Sequence, residues 1–454
     1  MNQSGVVDRL SNARIDLLDS SRLVACGRVK SVAGLGVDVT GLEALLAVGD
    51  RIHLKGRTGD QIPAEIVSFN GAGARAMPLG TLAGLGPGAQ ATVTLQKGSL
   101  SVGHSLRVGE GWLGRVVDPL GNPLDAKGSL GPGIERQVRA APPPAAHRNR
   151  LGARMSLGVR ALDLFTTCRV GQRLGLFAGA GVGKSTLLAM LAQQAQCDVV
   201  VLALVGERGR EVREFLEDDL GPALARSVVV VATSDQPPLL RREAAYAAMT
   251  VAEHFRDQDR SVLLLMDSVT RFCLALREIG LASGEPPATR GYPPSMFAEL
   301  PCLLERAGPG LGAGSITGVF TVLVEGDDHN EPVADAVRGI LDGHAVLDRR
   351  IAEAGRYPAV EVSRSLSRTV PGCLTPEEHA VVTDARAILA IKAELADLVR
   401  LGAYRPGTDP EADRALRLAP RIEMLLHQGR HQPSTFQNAI MALATVIEDQ
   451  SIAP

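Results

Sequence analysis

The sequence predicts an α/β protein in three parts: a small N-terminal β-barrel, a central parallel sheet covered by helices, and a C-terminal helical domain. Three observations carry this. Between residues 22 and 95 apolar and polar residues alternate with period two, and glycines separate the short runs. Beyond residue 151 the strand-length runs become continuously apolar and alternate with helical stretches, as strands buried on both faces require. From residue 375 the apolar residues recur at helical spacing.

A chain of 454 residues holds about three domains and builds a core without disulfide or metal staples. Its formal net charge of −2 leaves no bulk positive field for indiscriminate nucleic-acid binding. Aromatics are only 3%, with a single Trp, which argues against a surface that stacks single-stranded bases. No nucleic-acid partner is therefore expected. The six cysteines (26, 168, 197, 273, 302 and 373) form no CxxC pair and the nine histidines no HExxH motif. They read as reduced thiols of a cytoplasmic protein. The N-terminus lacks a signal peptide's basic head and apolar run, and no apolar run approaches the ~20 residues of a membrane span.

Taken in order, residues 1–20 carry Val6, Val7, Leu10, Ile15, Leu17 and Leu18. They read either as a frayed terminus or as a short amphipathic helix that binds a partner. Residues 21–95 form the barrel, with alternation at 37–40, 51–54, 64–69 and 92–95. Residues 96–150 are expected to be a linker ending in the stiff Pro142-Pro143-Pro144. Residues 151–374 make the central domain, with strands at 174–177, 199–205, 228–231, 262–266 and 319–324. Thr375, Pro376 and Glu378 spell a capping box that opens the helical domain, 375–454, with breaks at 402–410 and 429–433.

The chemistry begins where the strand at 174–177 runs into Ala178-Gly179-Ala180-Gly181-Val182-Gly183-Lys184-Ser185-Thr186 and a helix follows. Glycines let successive backbone N–H groups curl around an anion, and the helix start adds its positive dipole end. Residues 179–186 thus form a P-loop, in which Lys184 reaches the β- and γ-phosphates and Ser185 ligates Mg²⁺. Ala178 replaces the first glycine of the usual pattern, at a strand end whose ordinary dihedrals Ala tolerates.

Two further strands end in acids. The run 261–266 delivers Asp267 to the carboxyl edge of the sheet, where it would bind the metal. The run 199–205 leads through Gly206 to Glu207, the expected activator of water, with Glu211 a turn further on as the weaker candidate. Arg208 and Arg271 are candidates to stabilise charge on the transferred phosphoryl group. Arg368 is either an arginine finger offered to a neighbouring subunit or a surface ion-pair residue.

These residues, together with 206–213, 263–272, 284–295 and 322–328, resemble the type III protein-export ATPases, relatives of the F- and V-type catalytic subunits. The resemblance covers about residues 22–450. It implies a RecA-like P-loop domain that hydrolyses ATP with Mg²⁺ in a homohexameric ring. Arg368 then becomes the finger from the next subunit, and Tyr357, otherwise an ordinary Tyr before Pro, stacks on adenine. It also implies a coiled-coil stalk in the ring channel against 284–295, a dimeric stator or regulator on the N-terminus, an export-gate membrane protein and chaperone–substrate complexes as partners. The implied location is the cytoplasm, peripheral to the inner-membrane export apparatus.

Ala403, in Gly402-Ala403-Tyr404, favours the flagellar branch over the injectisome branch. An ATP synthase catalytic subunit is disfavoured because 284–295 and 402–413 follow the export pattern. The low aromatic content speaks against an RNA translocase, and the intact Glu207 against a ring subunit that only scaffolds.

Overall fold

The computed structural model describes residues 23–95, 104–324 and 331–448. The helix considered over 1–20 lies outside the described residues, as do 325–328 of the segment 322–328.

Six strands close the N-terminal barrel: β1 (Leu23–Ala33), β2 (Gly36–Thr40), β3 (Arg51–Lys55), β4 (Gln61–Asn70), β5 (Gly73–Pro78) and β6 (Gln90–Leu95). Their order is β1-β2-β5-β4-β3-β6. Alternation sends Val37 and Val39, Ile52 and Leu54, Ala64 and Ile66, and Ala91 and Val93 to the inside. Closure leaves no edge strand unpaired.

The central sheet takes β7 (Arg115–Val117), β8 (Arg173–Ala178), β9 (Val199–Glu207), β10 (Ser227–Thr233), β11 (Ser261–Asp267), β12 (Ser315–Leu323), β13 (Gly343–Leu347) and β14 (Val360–Ser367). Their spatial order is β14-β13-β8-β12-β11-β9-β10-β7. Along this path every pairing is parallel except β13 with β14. One face carries Leu174, Leu176, Leu202, Leu263 and Val319, covered by the helix Lys184–Gln194. The other carries Phe177, Val201, Leu264 and Phe320, covered by the helix Pro238–Arg256. Both faces are buried, which is why the sequence reads apolar without alternation.

The stretch 96–150, expected to be a linker, is more than that. Its described part contributes β7, hydrogen-bonded to β10 at one edge of the central sheet, and a two-stranded ribbon of Ser105–Val108 with Ile134–Gln137. Trp112 and Val138 are buried in the central core. Short strands joined by glycine-rich turns look like linker in sequence because each is too short to show a period. The prolines at 142–144 do form irregular backbone.

At the C-terminus the helices Pro376–Arg400, Pro410–Leu426 and Phe436–Glu448 pack Ile388, Leu418, Ile422 and Phe436 against Leu162 and Phe165 of the central domain. The first is opened by the expected box: Thr375 Oγ1 accepts from Glu378 N at 3.2 Å, and Glu378 Oε2 from Thr375 N at 2.9 Å.

A buried charge network fastens the barrel to the sheet. Arg242, on the helix Pro238–Arg256, donates to Glu65 of β4 at 2.6 Å and to Glu243 at 2.8 Å. Glu243 also accepts from Arg51 of β3 at 3.3 Å and lies 2.9 Å from His104 Nδ1. Among the described residues no helix is long and apolar enough to cross a membrane.

Candidate functional site

Three parallel strands end at one place. β8 runs into the glycine loop, β11 ends in Asp267 and β9 ends in Glu207, all at the carboxyl edge of the sheet. In the loop Gly181 and Gly183 have φ of +76° and +88°, a region where a Cβ is strained. The loop can therefore curl only because those positions are glycine. It ends at Lys184, the first residue of the helix Lys184–Gln194.

Lys184 bridges the two acids. Its ammonium touches Asp267 Oδ1 and lies 3.6 Å from Glu207 Oε1. Both carboxylates are nearly buried, with side chains 6% and 15% exposed, so the attraction acts where water screens it weakly.

Glu207 owes its aim to a bulge. β9 and β10 lose register between Val205 and Glu207, where Gly206 has φ +69°. An extra residue at a left-handed glycine bends the strand end and turns the next side chain. A Cβ on Gly206 would also press to 3.3 Å from Arg271 Cβ. Glu207 Oε1 is buried without a hydrogen-bond partner. Burial raises its pKa and the Asp267 charge adds to this, while Lys184 and Arg271 oppose it. Such a carboxylate accepts a proton more readily than an exposed one.

Arg271 sits in the first turn of the helix Val269–Ala282, where Ser268 Oγ accepts from Arg271 N at 3.2 Å. Its Nε is buried without a hydrogen-bond partner. A cavity of about 430 Å³ opens between the loop, Glu207, Arg208, Glu211, Arg271 and Leu323. Arg208 is mostly exposed there and pairs with Glu211 at 3.0 Å. Ser185 is exposed and Thr186 half-buried at the same wall.

Tyr357 stands against the loop: a Cβ on Gly183 would lie 3.3 Å from its ring Cδ1 and Cε1. Gln428 N donates to Tyr357 O at 2.8 Å, which ties this residue to the helical domain. Tyr357 is 42% exposed, so a planar partner can reach its ring.

Arg368 does not join them. It follows β14, is exposed, and donates to Arg338 O at 3.5 Å. Every other candidate lies on the loop, at the two strand ends or beside them.

Two residues at the site were missed by sequence reasoning. Thr321, wholly buried in β12, donates to Asp267 Oδ1 at 2.7 Å. Its only sequence signal is a hydroxyl inside an apolar strand. Arg349 donates to Ala180 O of the loop at 3.1 Å, across 169 residues of chain, and has no signal in the sequence.

The arrangement suits a magnesium nucleotide. The left-handed glycines form a cradle that side chains would fill, Ser185 and Asp267 are hard oxygen donors of the kind Mg²⁺ prefers, and Glu207 offers a buried oxygen that makes no hydrogen bond.

Comparison with known proteins agrees with this geometry. Residues 158–367 match the model of the ATP synthase alpha/beta family, nucleotide-binding domain, and residues 374–445 that of the type III secretion EscN ATPase C-terminal domain. The chain is 50% identical over 436 residues to the flagellum-specific ATP synthase of Caulobacter vibrioides, covering 94% of this chain and 97% of that one. It is 45% identical over 428 residues to the type 3 secretion system ATPase of Xanthomonas euvesicatoria, covering 93% and 94%. Among solved structures, the assembled ATPase EscN of enteropathogenic E. coli superposes with a TM-score of 0.85 at 39% identity, covering 93% of this chain and all of that one. The same ATPase in complex with its central stalk EscO gives a TM-score of 0.83 at 38% identity over the same shares.

Proposed function

The chain belongs to the type III export ATPases of the ATP synthase alpha/beta family, and on that footing we propose that it hydrolyses ATP to serve type III protein export, in the flagellar system. The observation that carries the reading is that Lys184 bridges Asp267 and Glu207, and that Lys184 and Glu207 line the cavity beside the glycine loop.

The loop amides and Lys184 hold the β- and γ-phosphates. Ser185 and Asp267 would hold Mg²⁺, which would supply charge neutralisation for the phosphates. Glu207, buried and raised in pKa, orients the attacking water and takes its proton. Arg271 and Arg208 meet charge developing on the γ-phosphoryl oxygens. Tyr357 lies flat on adenine beside Gly183.

The working unit is a ring of copies, with Arg368 completing the neighbour's site and a coiled-coil stalk standing in the channel against 284–295. That a relative is solved as an assembly and in complex with a central stalk supports an assembly of copies and a stalk partner. Residues 1–20 serve a dimeric stator or regulator, and an export-gate membrane protein and chaperone–substrate complexes complete the partners. The ring works in the cytoplasm, at the inner face of the export apparatus.

Purified full-length chain is expected to release phosphate from ATP only with Mg²⁺, and Lys184→Ala to abolish that release. Mg²⁺-independent release, or full activity of Lys184→Ala, overturns the assignment. Deletion of the gene is expected to stop export of flagellar subunits. Intact motility with loss of another secreted cargo transfers the protein to the injectisome branch, which the relative at 45% identity represents.

A further inference from the structure

Asp267 is not held by Lys184 alone. β12 lies between β8, which leads into the phosphate loop, and β11, which ends in Asp267. Phe320 pairs with Met266 across β11 and β12, so the next residues along, Thr321 and Asp267, fall on the same face of the sheet. There Thr321 Oγ1 is 2.7 Å from Asp267 Oδ1 and 3.2 Å from Met266 O. A hydroxyl has one proton, and the shorter, charge-assisted contact is the stronger bond. The flanking same-face residues, Val319 and Leu323, are apolar. A hydroxyl at that depth has no water to satisfy it, so it locks onto the acid.

The platform is itself anchored. Leu323 N donates to Thr270 Oγ1 at 2.8 Å, tying the end of β12 to the helix that starts just after Asp267. Lys184 and Thr321 both meet the same oxygen, Oδ1. Lys184 is a long, flexible side chain with a second task at the phosphates. Thr321 is short, β-branched and stiff. When Lys184 turns to a phosphate, Thr321 is the partner that stays.

We propose that Thr321 is a positioning residue, which holds the Asp267 carboxylate in the orientation that accepts the cation accompanying the nucleotide. This rests on the ATPase reading of the site. Removing the second partner of a metal-binding carboxylate costs about 10- to 100-fold in metal affinity. The effect belongs to the metal, not to the nucleotide.

The test uses full-length protein, a fluorescent ATP analogue and a Mg²⁺ titration on wild type, Thr321→Val and Thr321→Ser. Thr321→Val keeps the shape and removes the hydroxyl. It is expected to bind the analogue without Mg²⁺ as wild type does, and to need roughly 10-fold or more Mg²⁺ for the Mg²⁺-dependent rise in affinity. Thr321→Ser, which restores the hydroxyl, should return that midpoint to within about threefold of wild type. A Mg²⁺ midpoint unchanged in Thr321→Val overturns the proposal. So does a variant that loses Mg²⁺-free binding, since Thr321 is then only structural, or a Ser variant that fails to restore the midpoint. If wild type itself does not bind the analogue, it is the nucleotide reading that fails, a separate result.

Discussion

Arg368 and Lys184 stand at opposite edges of the same sheet. Ser367 pairs with Gly343 at the start of β13, and Gly343 pairs with Leu174 near the start of β8, whereas Lys184 follows the loop beyond the far end of β8. Arg368 N donates to Asp342 O at 2.9 Å, level with Arg173, five residues before Ala178. At about 3.3 Å per residue that is roughly 16 Å along the strands. An arginine so placed stands apart from its own glycine loop, which is the placement the proposed role at a neighbour's site requires.

Mixed rings test this directly. Arg368→Ala and Lys184→Ala subunits, each inactive alone, are expected to recover part of the ATPase rate when mixed, because some interfaces then combine an intact loop with an intact finger. Phosphate release from verified mixed assemblies is the measurement. No recovery would return Arg368 to a role within its own chain or on the surface.

Glu207→Gln preserves size and removes the proton acceptor. Nucleotide affinity should stay within a few-fold, while turnover falls by about 10²- to 10⁴-fold. Single-turnover phosphate release against equilibrium binding separates the two. Hydrolysis near the wild-type rate would move the role to Glu211, which lines the same cavity.

Arg349 grips the loop from outside through the carbonyl of Ala180. It is exposed, so the bond is worth about 1 kcal/mol. Arg349→Ala is therefore expected to weaken nucleotide binding about fivefold with little change in turnover at saturation. A loss of turnover at saturating ATP with unchanged affinity would show that Arg349 acts on the chemistry instead.

The barrel anchor predicts a pH signature. Burial alone would raise the Glu243 pKa, but Arg242, His104, Arg139 and Arg51 overcome it and hold the carboxyl well below its usual range. A depressed folded-state pKa means that the stability it contributes is present above the unfolded value of about 4.3 and is lost as pH falls towards the folded one. Glu243→Gln should cost about 3–5 kcal/mol at neutral pH, because it removes a buried carboxylate that Arg242 and Arg51 share and leaves Glu65 to balance them. The gap from wild type should narrow below about pH 4. Denaturant unfolding at neutral and acid pH reads both numbers, and a gap that does not change with pH would exclude Glu243 as the anchor.

The parts of the site that lie within one strand–loop–helix unit were legible from the chain alone. Gly179 to Thr186 announce themselves because a glycine loop between a buried strand and a helix has few other uses, and Asp267 and Glu207 because acids end apolar strands. The barrel was legible too, since alternation at Val37 to Thr40 or Arg51 to Leu54 states which side chains face in. The edge strand at Arg115–Val117 was not, since three residues carry no period.

The amino-acid order by itself determined where a glycine loop joins a buried strand to a helix and which strands would be buried, because those properties follow from local pattern. Only the tertiary structure decided who meets whom. The order β8-β12-β11-β9 brings Lys184 to Asp267 across 83 residues, slides Thr321 in beside them, and uses the bulge at Gly206 to aim Glu207. The same sheet sends Arg368 to its far edge. Neighbours in a sheet are set by packing of whole faces, and that information is spread over the entire core and not written at any one site.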